Sequence, residues 1–537
     1  MNAYPFSADR DFMRPGRSHA RAMRGMAATS NPIATETALS ILRQGGNAID
    51  AAIGACATLS LLEPHQTGVG GDCFALIALR GTDQVVGYNG SGRAPAGIDR
   101  AEVERHSPGG IGRTSVAAVT VPGAVEAWVR LSADHGRLPL RDVLGPAISY
   151  AENGVPVHDR VAFDWKVAAG KIAASPELAS RFMSGGETLS AGNVVRFPEL
   201  ARTLRIIALE GRNGFYDGNI AKSIVDTLRR HGGVHKLEDF QTHRGDYVQP
   251  ITADFRGYRV HQCPPNGQGI IALIIMGLLN HLERDPEGPL GHWRLHSLIE
   301  AARVAFSIRD QSLADPAHAA VDWNAMLVPD FLRDVAKRIR RSARLDAPLD
   351  QTGLEHRDTT YVAVVDQERN AVSLINSLFE SFGSTICDPE TGVVLHNRGL
   401  SFSLRQDHPN ALAPGKRPMH TIIPGMLTRN GKAIMPFGVM GGHFQPVGHA
   451  ALLSHMFDYG LDLQTAIDLP RLFPSEGKVW VESGIDAAAR KHLEGLGHEL
   501  VDRIEPAGGA QAIWIDHESG VLTGGSDPRK DGAAMGY

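Results

Sequence analysis

The chain is poor in cysteine, with four in 537 residues. Cys56, Cys73, Cys263 and Cys387 lie far apart, and no Cys-x-x-Cys occurs, which speaks against a disulfide framework and a thiolate metal site. Cys56 sits in an apolar helical run and Cys73 opens a strand-like one. They read as buried free thiols of a reducing compartment, and a cytoplasmic location is expected. No apolar run approaches the ~20 residues that span a bilayer, so no membrane partner is expected. Residues 1–26 are rich in Arg and mixed polar groups without the apolar centre of a secretory signal, and are expected to be flexible. There is no basic excess, the net charge being −5, and so no footprint for nucleic acid. Repeats and low-complexity tracts are absent. Two His-x-x-x-His spacings occur. His231/His235 encloses Gly232-Gly233, a helix end, and His292/His296 has Trp293 where a zinc protease motif carries Glu. No metal and no cofactor are expected.

What is present is ordinary globular material, 43% apolar and 21% charged, in a chain too long for one small core. Asn31 as cap, Pro32 in the first turn and Gly45-Gly46 as stop predict a helix over 32–44. A second follows over 47–62 with a small-residue face, and apolar helices over 270–282 and 293–308. Segments 73–79 and 84–88 read as a strand pair around Gly81-Thr82-Asp83. Segments 361–366, 371–376, 421–428 and 432–437 read as further strands. Sheets covered by helices, an α+β class, follow. The basic, then acidic stretch of about 336–358 reads as an exposed linker.

That linker ends at Asp358-Thr359-Thr360, before the apolar run Tyr361-Val362-Ala363-Val364-Val365. A threonine hydroxyl is a poor nucleophile unless a base takes its proton. Cutting the chain just before it frees an α-amine that can serve. Such an amine has a pKa of roughly 7.7–8.0, near working pH. Taken alone, the segment reads as a plain strand start.

Other segments decide between these. Glu63-Pro64-His65-Gln66-Thr67-Gly68-Val69-Gly70-Gly71-Asp72, Asp358-Thr359-Thr360, Asn370-Ala371-Val372-Ser373-Leu374, Gly415-Lys416-Arg417-Pro418, Gly441-Gly442 and the ending Gly525-Ser526-Asp527-Pro528-Arg529 stand in one order. In that order the chain resembles, almost end to end, the γ-glutamyltransferases, N-terminal-nucleophile hydrolases that mature by self-cleavage. The resemblance implies a four-layer αββα sandwich built jointly by a large subunit, 1–358, and a small one, 359–537. The two subunits would pair after cleavage between Asp358 and Thr359, as one pair or as a dimer of pairs.

The resemblance also implies roles. Thr359 matches the nucleophile, and Ser377 stands where the family has a threonine bonded to it. Gly441 and Gly442 match a glycine pair whose N–H groups face the oxyanion. Asn397 lies in a well-matched segment. The plainer alternatives are a buried strand threonine, a strand serine and an ordinary turn.

The pattern departs where the family holds the substrate's α-carboxylate and α-ammonium. The arginine position becomes Ser91. Arg93 lies two residues on, which in a strand is the same face, and is expected to reach the carboxylate. The acidic position becomes Ser401, the neighbouring glutamine becomes Arg398, an upstream asparagine becomes Phe379, and the serine pair becomes His420-Thr421. A buried ammonium left unpaired would cost several kcal/mol. A small carboxylate-bearing amide without an amine fits better, and these segments resemble the branch of oxamate amidohydrolase and cephalosporin-type acylases. Two other readings stand beside this one: a true glutathione hydrolase whose acid comes from Asp72 or Glu380, and an inactive binding scaffold.

Overall fold

The computed structural model describes residues 4–6, 12–13, 15–80, 82, 84–346 and 359–537. Asp358 and the second half of the predicted linker, 347–358, lie outside the described residues.

Local signals set the first helices. Asn31 is extended and its side chain accepts the Ile33 N–H, ahead of the helix Pro32–Arg43. The helix Ala48–Leu62 starts on a reciprocal cap. The Asn47 side chain accepts from Ile49 and Asp50, and Asp50 accepts the Asn47 N–H, a device worth about 1 kcal/mol. Every residue of that helix is buried, which its run of small side chains allows.

Two seven-stranded sheets follow. The first runs Ala533–Gly536, Met26–Thr29, Thr360–Val365, Ala371–Ser377, Asp72–Ala78, Val85–Gly90 and Asp246–Val248. The second runs Ala20–Ala22, Leu522–Ser526, Ala510–Ile515, Lys432–Val439, Gly425–Arg429, Tyr258–Gln262 and Ile251–Phe255. Neighbours within each are antiparallel.

Period-two alternation assigns the faces. Tyr361, Ala363 and Val365 pack between the sheets with Met426, Ile513 and Ile515. Val362 and Val364 pack outward against Ala51, Ala55 and Leu59 of the Ala48–Leu62 helix. On the far side, Phe437, Val439 and Trp514 meet the helices Gly269–His281, His292–Ser312 and Gln445–Tyr459. The result is an αββα sandwich, as expected. Both sheets mix strands from before and after Thr359.

Two expectations need correction. The start of the predicted linker is docked. Leu332, Ala336 and Ile339 recur at helical spacing and are buried, Arg340 bridges Ala343, and the Arg344 N–H donates to the Leu496 carbonyl at 2.9 Å. Part of 1–26 is ordered as well. Ala20–Ala22 is an edge strand, and the rings of Tyr4 and Phe6 lie 5.7 and 6.0 Å from that of Trp514. All four cysteines are buried and none forms a disulfide. Among the described residues no helix is long and apolar enough to cross a membrane.

Candidate active site

Thr359 stands directly before the central strand Thr360–Val365, 1% exposed. Pairing of Thr360 with Asn376 brings the end of the neighbouring strand, Ser377, alongside. The Thr359 hydroxyl lies 3.4 Å from the Ser377 hydroxyl, and Ser377 Oγ accepts the Phe379 N–H at 2.8 Å. On the other side, Gln445 Nε2 donates to Thr359 Oγ1 at 3.4 Å. Sequence reasoning assigned Gln445 no role. Gln-Pro at the start of a helix carries no signal of its own.

Gly441 and Gly442 have φ of 114° and 55°, values that favour glycine. They lead through a 3₁₀ turn, Gly442–Phe444, into the helix Gln445–Tyr459. A helix start leaves N–H groups without intrahelical partners and carries positive potential, suited to a developing anion. Gln268 fixes this corner, its Nε2 donating to the carbonyls of Thr421 at 2.8 Å and Gly442 at 2.9 Å. Arg309 braces it in turn, bonded to Gln268 Oε1 and His443 Nδ1.

Arg398 is buried, 1% exposed. Its guanidinium lies 3.8 Å above the Phe379 ring centroid, a desolvated cation–π contact worth roughly 2 kcal/mol. Its Nη1 donates to Thr421 Oγ1 at 2.8 Å. Ser401 closes the same 3₁₀ turn, Arg398–Ser401, where residues three apart eclipse. The Ser401 hydroxyl is buried with no hydrogen-bond partner among the described residues.

His420 is bonded to Asp72 and to the main chain. Its Nε2–H donates to Asp72 Oδ2 at 3.0 Å, and its Nδ1 accepts the Ile422 N–H at 3.3 Å. Burial, reinforced by Arg398, holds His420 well below its ordinary value. Burial pushes Asp72 up to about 7, against the lowering effect of Arg398 and of the Gly92 and Gly123 N–H groups that donate to it. The contact is thus a hydrogen bond from a neutral imidazole rather than an ion pair.

Arg93 does not join this set. The strand Val85–Gly90 ends before it, so the same-face argument does not apply. At Gly92 a Cβ would lie 1.6 Å from the Val121 carbonyl, and the chain turns there. Arg93 Nη1 donates to the Gly415 carbonyl, and its guanidinium sits 3.8 and 3.7 Å from Asp246 and Asp315. Ser91 is buried, its hydroxyl donating to Asn89 Oδ1. Asn397 donates to Glu380 Oε2 and to the Arg113 carbonyl.

Each His-x-x-x-His pair has a member engaged outside the pair. His235 donates to the Val119 carbonyl. His296 instead comes within 4.8 Å of Glu300 and His498 by ligand atoms. Glu300 there already accepts from Arg303 and the Leu345 N–H.

A threonine at the head of a central strand in an αββα sandwich, faced by a glycine helix start, is the layout of an N-terminal-nucleophile hydrolase. The gamma-glutamyltranspeptidase family model matches residues 34–537, and the chain belongs to that family. It is 37% identical over 524 residues to the glutathione hydrolase-like YwrD proenzyme of Bacillus subtilis (strain 168), covering 95% of this chain and 98% of that protein. It is 35% identical over 530 residues to the oxamate amidohydrolase proenzyme of Klebsiella pneumoniae, covering 96% and 98%. Cephalosporin acylase from Bacillus halodurans superposes with a TM-score of 0.91 at 37% identity over 99% of both chains. The chain is an enzyme, a self-processing amidohydrolase of this family, which sets aside the scaffold reading.

Proposed function

We propose that the chain cuts itself between Asp358 and Thr359 and then hydrolyses a small amide whose acyl group carries a carboxylate and no amine, oxamate-like or glutaryl-like. In the first step Thr359 Oγ1 attacks the Asp358 carbonyl. The amide becomes an ester, and water hydrolyses it, freeing the Asp358 carboxylate and the Thr359 α-amine. In turnover that amine takes the hydroxyl proton as Oγ1 attacks the substrate carbonyl. The proton passes to the leaving ammonia or amine as the acyl-enzyme forms. The same amine then deprotonates the water that releases the acid. Gly441 and Gly442 N–H groups stabilise the oxyanion, about 3 kcal/mol for one such donor.

The observation that carries the substrate class is the charge around Arg398. Its guanidinium is held by Phe379 and Thr421, and Phe379, two residues after Ser377, donates its N–H to the Ser377 hydroxyl. The two acids that would receive an ammonium are engaged elsewhere. Glu380 is bonded to Arg113 and Asn397, with Lys171 3.7 Å away. Asp72 holds two backbone N–H groups and His420. A fixed cation with both acids spoken for suits a carboxylate and leaves an ammonium unpaired. The names of the Klebsiella and B. halodurans relatives point the same way.

Comparing kcat/KM of the matured enzyme for oxamate, a glutaryl amide and glutathione tests this. Preference for glutathione overturns it. We also place the enzyme in the cytoplasm, a reading favoured by four buried unpaired thiols. Recovery of the mature enzyme outside the cell would count against it.

A further inference from the structure

Behind the glycine corner, between the helices His292–Ser312 and Gln445–Tyr459, lies a cavity of about 30 Å³. Leu298, Phe444 and Val447 wall it, and its polar groups are Arg294, His455 and Arg471. Arg294 is 4% exposed. Its Nε, Nη1 and Nη2 are all buried, and none has a hydrogen-bond partner among the described residues.

The neighbouring carboxylates Asp458 and Asp285 favour the Arg294 charge from a distance, but neither hydrogen-bonds its guanidinium. Arg471 is bonded to Asp527 and to the carbonyls of Ala507 and Ile467. Asp458 pairs with Arg256 at 2.6 Å and Arg284 at 3.1 Å. Asp285 accepts the backbone N–H groups of Glu287 and Arg294 itself. His455 is bonded to the Ala466 carbonyl and held neutral by burial and by Arg294. A guanidinium does not give up its proton in proteins. A buried one with five unused donors is strongly unfavourable unless something negative meets it.

We infer that this cavity is a binding site for one small monovalent anion of chloride size, held by the Arg294 guanidinium. The volume supports that scale: a water needs roughly 10–15 Å³ on the same measure, so the space takes a monatomic anion but no organic acid with a tail. The apolar walls offer few donors, which favours a weakly hydrated halide. Arg294 and Leu298 precede Thr359, whereas Phe444, Val447, His455 and Arg471 follow it. The anion therefore joins the two parts of the chain, at the back of the helix that begins beside Gly442.

The test uses the full-length purified protein. Thermal unfolding is followed while chloride or bromide replaces gluconate, which is too large to enter, at fixed ionic strength. The wild type should gain about 2 °C or more in Tm, saturably. Arg294→Met should show no anion dependence, and in gluconate alone should match or exceed the wild type, because a buried guanidinium without hydrogen-bond partners is gone. A wild type indifferent to halide, or a variant with the full response, overturns the site. Should the variant fail to fold, a bromide-soaked crystal of the wild type decides. An anomalous peak within hydrogen-bond reach of Arg294 supports the site, and its absence overturns it.

Discussion

Gln445 holds the Thr359 hydroxyl from one end of its amide and the main chain from the other. Nε2 donates to Thr359 Oγ1 at 3.4 Å, and Oε1 accepts the Ile423 N–H at 2.9 Å. The link spans 86 positions of sequence. A hydroxyl held this way needs less reorientation for the proposed attack. Gln445→Ala should lower kcat by roughly 10–100-fold and leave KM within a few-fold. Gln445→Glu, which removes the donor and keeps the shape, should behave similarly. A change confined to KM would show that Gln445 serves binding instead.

Self-cleavage should be visible by intact mass as two pieces, 1–358 and 359–537. Thr359→Ala should persist as one inactive chain. Thr359→Ser keeps a hydroxyl beside an amine and should retain part of both cleavage and activity. An active enzyme found uncut would sink the mechanism.

Gly442 should matter to turnover more than to binding. At φ 55° an alanine is strained and displaces the N–H proposed to meet the oxyanion. Gly442→Ala should cut kcat by about 100-fold, with KM little changed. Steady-state kinetics on the processed variant checks this, and an effect on KM alone removes the role.

Arg398 should read the carboxylate through its planar fork. Arg398→Lys keeps the charge but loses the bidentate pair and the stacking on Phe379, and KM for an oxamate-like substrate should rise roughly tenfold. Ser401→Asp adds an anion on the same turn. It should weaken that substrate further and improve the relative use of γ-glutamyl amides. Unchanged substrate ratios in both variants would show that this turn does not line the pocket.

Much of this was legible in the sequence because it is local. Asn31-Pro32 and Asn47 with Asp50 are caps written within a few residues, and the continuous apolar run Tyr361-Val362-Ala363-Val364-Val365 reads as a strand buried on both faces. Thr359, Ser377, Gly441 and Gly442 came through family order. The contact between Asp72 and His420 joins positions 348 apart and has no local signature. Gln268 and Gln445 are single amides whose meaning is entirely tertiary. The same-face argument for Arg93 does not hold, because a rule for strands was carried past the strand's last residue, Gly90.

Asp72 gives a pH prediction with a definite sign. Its folded value, about 7, lies above the ordinary 3.8 because it is buried. Between those values the folded chain keeps a proton that the unfolded chain releases. The stability Asp72 contributes is therefore full below about pH 4, falls as pH rises towards 7, and is level above that. Asp72→Asn removes the titration. Denaturant midpoints compared from pH 5 to 8, with both chains carrying Thr359→Ala so that they stay uncut and can refold, should drift in the variant's favour up to about pH 7. A drift towards the wild type would mean the carboxylate is ionised in the fold.

The interleaving of strands has a consequence for the history of each molecule. The strand Thr360–Val365 lies between Met26–Thr29, which precedes the cut, and Ala371–Ser377, which follows it. The sandwich must therefore assemble while the chain is still continuous, when closing it is an intramolecular event. Once cut, an unfolded enzyme would have to find its other half by diffusion, with each half exposing strand edges meant for its partner. A protein cut at the proposed site would thus persist by slow unfolding more than by refolding, and each molecule would have one opportunity to reach its active form.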